Sequence, residues 1–433
     1  MDDEKKFLLD PQWAWVRYVP DARRPWNLAL AGHLYRRAAF GASWPQLQRS
    51  LAAGPQPTLD ELLRPATDVA AFNKQFDDFE TPPGDDRSAT ELRAWWLQRM
   101  IRTPQPLLEK MTLFWHGHCA ASNAKAESAP LMQRYLQLLR RHALGDFRAL
   151  LGGLVHEAAL FATFDAKLNR KAQPSDGFAR WLLEAHLGDA TEADVRETAR
   201  AFTGWFVQLG QLRYIEREHD ASEKKILGRT GNFGSDDVVK LVLDQPATAA
   251  TLVRKLYRWL ISETAEPDAA LLAPLVNAYA KNFDTLALVE TMLRSNVFFS
   301  PDAVGQRVKS PVEYALGIVQ GLEITIATQP LGDALAGLGQ SLLHPPTTHG
   351  WSGGRNWLNP ATVAGRLKLA EALLRGGPYS EHLNLAALAQ KNGQPPDAFF
   401  AQLYLQNAAT TRGEPDAFRT AYAAVSQPEF LLA

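Results

Sequence analysis

The segment Phe114–Ser122, FWHGHCAAS, sets His116 and His118 on either side of Gly117 and next to the chain's single cysteine, Cys119. Imidazoles bind metals and move protons near neutral pH. On an unbroken helix, residues two apart point roughly 200° away from each other, so this pair could not grip one ion from a common face. A left-handed glycine would change that, and Gly117 is expected to end the helix, with His116 in its last turn and His118 on the following loop. A metal at His116 or His118 would still need other ligands, because zinc takes three or four from the protein. The candidates are Glu184, His186, Asp165, His219 and Asp220. Neither H-E-x-x-H nor a comparable ligand spacing occurs. A divalent metal is therefore the less favoured expectation, behind histidines that cap, hydrogen-bond or touch a ligand directly.

A second set of residues mixes guanidinium and carboxylate groups. Arg180 and Glu184 lie four apart, as do Glu192, Arg196 and Arg200 in succession, with KLNRK (Lys167–Lys171) before them. One reading is a set of exposed ion pairs, each worth about 0.3–0.5 kcal/mol. The sharper one is a cleft in which Arg180, Arg196 and Arg200 bind a carboxylate, sulfate or phosphate, for which planar guanidinium is suited. If the protein is an enzyme, hydrolysis is the class these residues support. Glu184 or Asp220 would serve as general acid or base, His219 as partner, and the arginines would stabilise developing charge. No G-x-S-x-G elbow supports a serine nucleophile, and Cys119 reads as a small buried filler.

Two glycine-rich loops differ in promise. LGRTGNFGSDD carries Gly228, Gly231 and Gly234 ahead of a helix at Ser235, but Asp236 and Asp237 would repel a phosphate there, and P-loop spacing is absent. HGWSGGRNWLNP is different, because Trp351, Trp357, Arg355 and Asn356 sit where no regular backbone explains them. Trp351 could stack on a sugar and Arg355 bind its charge, or the indoles could simply cover the core. KSPVE reads as a helix start, with Ser310 the cap, Pro311 the first residue and Glu313 closing the box.

The elements that must position these groups are mostly helices. Expected helices cover Ser88–Arg102, one begun by Thr103-Pro104, Pro130–Leu144, Phe147–His156, Ser175–Leu187 and Thr191–Thr203. They continue with Ser235–Leu243, Pro246–Ile261, Asp268–Lys281, Thr285–Ser295, Pro311–Ile324, Pro360–Leu374 and Asp416–Ser426. Trp205–Arg217 alternates β-formers around Leu209-Gly210 and predicts a hairpin. The fold class is mainly α: a large irregular multi-helix bundle with a small β-hairpin near residues 205–217. Asp78–Asp86, residues 345–360 and Gly376–Tyr379 read as loops, so residues 1–433 form one helical body or two lobes, 1–204 and 205–433.

Of the 433 residues, 46% are hydrophobic and 21% charged, ordinary for a globular chain. With 46 Lys plus Arg against 47 Asp plus Glu, no overall field attracts nucleic acid, and any charged partner must be read by a local patch. One cysteine and no CxxCH exclude haem attachment, and neither an iron–sulfur cluster nor a nucleotide is expected. No run of eighteen apolar residues predicts a membrane span. MDDEKKFLLD lacks a signal-like apolar stretch, so the sequence as given reads as cytoplasmic, or exported if a signal has been removed.

Eight blocks, in order along nearly the whole chain, resemble the bacterial family of proteins of unknown function 1800. They are HLYRRAAFGAS (His33–Ser43), MTLFWHGHCAAS (Met111–Ser122), NRKAQPSDGFARWLLEAHLG (Asn169–Gly188) and EADVRETARAFTGW (Glu192–Trp205). The others are HDASEKKILG (His219–Gly228), RVKSPVEYALG (Arg307–Gly317), HGWSGGRNWLNP (His349–Pro360) and QPEFLLA at the end. The resemblance implies a mostly helical fold in bacteria rich in surface polysaccharide, and genes often adjacent to those for sulfatase-like proteins. It therefore suggests a carbohydrate or anionic ligand and, as the competing class, a non-catalytic accessory or scaffold working with a sulfatase-like partner. This chain departs from the family where the family is most polar. Ser175, Asp176 and Gly177 stand for asparagine-glutamate-asparagine, and Trp181 stands for the first glutamate of arginine-glutamate-leucine-leucine-glutamate.

Overall fold

Amphipathic segments punctuated by Ser, Asp, Asn and Pro caps build a mainly α protein. A computed structural model describes residues 10–65, 69–77, 88–264, 266–380, 383–406 and 416–433. The expected loop at Asp78–Asp86 lies outside the described residues. Among the described residues there are 23 α-helices and two two-stranded antiparallel sheets. Most of the buried apolar residues form one cluster running from Ala14 to Phe430. No described helix is long and apolar enough to cross a membrane.

Local chemistry sets most boundaries where the sequence puts them. Ser88 caps the Ala89–Arg102 helix and exchanges bonds with Glu91, and Ser310 does the same with Glu313 at the start of Pro311–Leu322. The hairpin pairs Trp205–Gln208 with Gln211–Tyr214, and Leu209 and Gly210 both take positive φ at its tip, the conformation that tight hairpin turns demand. A second hairpin, Lys224–Ile226 with Arg229–Gly231, turns through Leu227 and Gly228 inside the stretch read as a glycine loop. Its three-residue strands are too short for an alternation pattern to announce them.

Two expectations about helix ends are corrected. The helix after Arg102 starts at Pro106, not at Thr103-Pro104, because the second proline occupies its first turn. More consequentially, that helix does not stop at Gly117. It runs Pro106–Cys119, and Ala120, in the left-handed conformation at φ 56°, is its cap. His116 and His118 therefore sit on one continuous helix and diverge.

The glycine between them has a different use. The loop after Leu343 folds back on the helix end, with the Gly350 N–H donating to the Thr347 carbonyl (3.0 Å). Gly350, at φ 78°, packs so closely that a β-carbon there would collide with the Gly117 carbonyl oxygen. Gly350→Ala should therefore cost about 2 kcal/mol or more of stability, from strain plus overpacking. Denaturant titration of the variant checks this.

Candidate functional site

A cleft of about 550 Å³ opens between the Pro106–Cys119, Asp176–Leu187 and Pro246–Leu260 helices and the loop at residues 348–357. Its wall includes four indoles, those of Trp181, Trp259, Trp351 and Trp357. Among these it places the basic side chains Arg180, Lys255, Arg258 and Arg307, and the carboxylates Glu184 and Glu263, with Lys125 and Asp165 also on its lining. Helical spacing explains the middle set: Lys255, Arg258 and Trp259 lie at i, i+3 and i+4 on one helix and so share a face.

The two histidines play separate parts. His116 is buried away from the cleft wall. Its Nε2 accepts the Leu343 N–H (3.2 Å), its ring meets Trp96 and Trp351 edge-on at 5.4 Å, and burial pushes its pKa down to about 3. It anchors the start of the tryptophan loop. His118 lines the cleft at 8% exposure, and its Nδ1 lies 3.1 Å from Lys255 Nζ. Burial, with Lys255 and His186 nearby, holds it neutral, well below the usual histidine range. With Nδ1 accepting from the amine, the proton belongs on Nε2, which is buried without a partner. His186 is fully buried, accepted by the Leu182 carbonyl (2.7 Å) and 5.2 Å ring-to-ring from His118. Among the described residues, no three His, Cys, Asp or Glu side chains are grouped to hold a metal ion.

The arginine–carboxylate set splits. Arg180 and Glu184 line the cleft, 3.6 Å apart, while Arg180 also grips Glu192 with two 2.8 Å bonds, which leaves little of its fork for a ligand. Glu184 faces His349 at 3.7 Å. Arg200 belongs elsewhere. It binds Asp220 and Glu197 at 2.7 Å each and Ser222 at 2.5 Å, tying the segment before the second hairpin to its helix. The Arg200 bond, more than any other contact, holds the Asp220 carboxyl far below the usual range, in an ion network away from the cleft wall. His219 accompanies it, bonded to the Thr203 carbonyl (2.9 Å) and away from the cleft wall. Arg196 and Arg355 are exposed and do not line the cleft, whereas Trp351 does. Asp165 reaches the rim and pairs with Lys125 at 3.1 Å. Of the residues expected from the sequence to share a site, His118, Arg180, Glu184 and Trp351 line this one cleft, and His116, Arg196, Arg200, His219, Asp220 and Arg355 lie off its wall.

Sequence reasoning missed the most deeply set cations. Arg307 is buried, paired with Glu313, and its guanidinium carbon lies 4.4 Å from the centre of the Trp259 ring. Lys255 Nζ donates to the Ala185 carbonyl (3.0 Å), lies 3.1 Å from His118 Nδ1 and, among the described residues, has no carboxylate within salt-bridge distance. Glu263 accepts the Val308 N–H at 2.5 Å, and burial pushes its pKa up despite Arg307. Four buried donors belonging to cleft residues have no partner: His118 Nε2, Trp181 Nε1, Trp259 Nε1 and Arg307 Nε. Each unmade bond costs about 1–3 kcal/mol.

Trp181 on this wall stacks on Phe164 (5.0 Å, 20°). A β-carbon at Gly177 would lie 2.5 Å from the Phe164 carbonyl oxygen, so this backbone admits only glycine there.

A helical protein with an aromatic, cation-bearing cleft is the class that fold and site define. The chain belongs to the family described as protein of unknown function (DUF1800), whose model matches residues 33–432. No curated protein and no solved structure matches it.

Proposed function

We propose that the cleft binds an anionic carbohydrate. The observation that carries this reading is the convergence of four indoles and five basic side chains on one recess of about 550 Å³, large enough for a short oligosaccharide. Indole faces suit the C–H surface of a pyranose ring, and cations set among them favour sulfate or carboxylate substituents. Hydrolysis at this site would use Glu263, raised by burial, as proton donor and Glu184 as the second carboxylate. A second reading, an accessory protein that holds such a saccharide for a sulfatase-like partner, is favoured by Trp181, an indole on the cleft wall where the family resemblance implies a carboxylate.

Calorimetric titration with sulfated, uronic-acid and neutral oligosaccharides of equal length tests the proposal. Acidic chains should bind, and neutral ones at least about tenfold more weakly, the size of one lost charge-assisted contact. Asp220→Asn should leave the affinity unchanged, because Asp220 lies outside the recess. Equal affinity for neutral chains, or loss of binding in Asp220→Asn, would overturn the assignment.

A further inference from the structure

We propose that Lys255 is a nucleophilic amine that captures an aldehyde carbon in the cleft as an imine, the substrate being the open-chain reducing end of a sugar. The choice of substrate rests on the carbohydrate reading above, whereas the chemistry of the amine does not.

The surroundings ease the loss of a proton from the amine. Lys255 Nζ has two polar partners, His118 Nδ1 at 3.1 Å and the Ala185 carbonyl at 3.0 Å; with the His118 proton on Nε2, the two N–H bonds of a free base satisfy both and leave its lone pair for a ligand. An ammonium would carry a third N–H and a charge with no carboxylate to meet it among the described residues. The ionisable groups around it do not supply one: His118 and His186 are held neutral, and burial pushes the Cys119 thiol up to about 12. Lys255 lines the cleft, so the amine lies where a bound ligand would reach it. Burial pushes its pKa down to about 8, so roughly a tenth is free base at neutral pH, against well under a thousandth of an ordinary lysine. The mechanism given for Glu184 and Glu263 makes no use of this residue.

The step balances without a redox partner. The nitrogen lone pair forms a C–N bond to the carbonyl carbon as the C=O π pair moves to oxygen. A proton passes from nitrogen to that oxygen, giving a carbinolamine; as the nitrogen lone pair forms the C=N bond the hydroxyl leaves, taking up the remaining N–H proton to become water. His118, accepting an N–H from the amine, is a positioning residue.

Glyoxylate, a small anionic aldehyde that needs no affinity for saccharides, tests the amine directly. The folded wild-type protein is incubated with glyoxylate and cyanoborohydride at pH 7, and each lysine is followed by peptide mass spectrometry. Lys255 should be labelled at least about tenfold faster than the exposed Lys125, Lys240 and Lys391, and urea unfolding should abolish that advantage. Labelling of Lys255 no faster than of the exposed lysines would overturn the proposal. Rapid labelling in a protein that binds no oligosaccharide would uphold the amine and remove only the sugar as its substrate.

Discussion

Replacing Glu313 by glutamine is expected to destabilise the fold by about 3–5 kcal/mol, as for other buried ion clusters deprived of their anion. Glu313 is buried at the first turn of the Pro311–Leu322 helix, where it accepts Ser310 N–H at 2.9 Å and pairs with both Arg307 and Lys110. Lys110 is fully buried and Arg307 nearly so, so the variant would strand two cations in the interior. Guanidinium denaturation with matched slopes would measure the loss. A change below about 1 kcal/mol, the surface-pair range, would contradict it.

The same residue sets a pH window. Burial alone would push the Glu313 carboxyl up, but Arg307 and Lys110 more than reverse that and hold it well below its ordinary value of 4.5. A carboxyl depressed in the folded state contributes stability that is fully present above its unfolded pKa and is lost as pH falls through the folded one. Wild-type stability should therefore decline with acid below about pH 4.5, and the Glu313→Gln variant should lack that share of the decline. Because Arg307 also lines the cleft under Trp259, the cluster links the core to the site.

The second large effect concerns binding. Trp351→Ala should weaken an acidic oligosaccharide by about tenfold, the value of a stacked aromatic surface together with its area. Its fold should remain, since Trp351 is only half-buried and sits on a loop that His116 anchors separately through Leu343. Calorimetry beside a thermal melt separates the two effects. Unchanged affinity in a folded variant would remove stacking from the account.

The helices were legible because their signals are local. Ser88 with Glu91 and Ser310 with Glu313 each exchange the two bonds that the sequence spacing promised. Gly117 misled because glycine is permitted the left-handed conformation without being obliged to take it; the neighbouring Ala120 takes it instead. Its value lies in the approach of Gly350, more than two hundred residues away, which no local pattern reveals. Arg180 and Glu184 were found through their i,i+4 spacing, and Trp351 through an aromatic residue in a loop. Arg200 and Asp220 showed equally suggestive types, yet they satisfy each other at 2.7 Å, and charge spacing alone does not separate a ligand site from a closed ion network. Lys255 was overlooked although the sequence holds a usable sign: the residues four before and four after it are Thr251 and Trp259, so no helical carboxylate neighbours the amine on its face.

A crystal structure of the protein soaked with a sulfated oligosaccharide tests the central claim most directly. The account predicts a sugar ring against Trp351 and an acidic substituent within hydrogen-bond distance of Lys255, Arg258 or Arg307, inside the recess between the Pro106–Cys119 and Pro246–Leu260 helices. A saccharide bound outside that recess, with the recess itself empty, would contradict it.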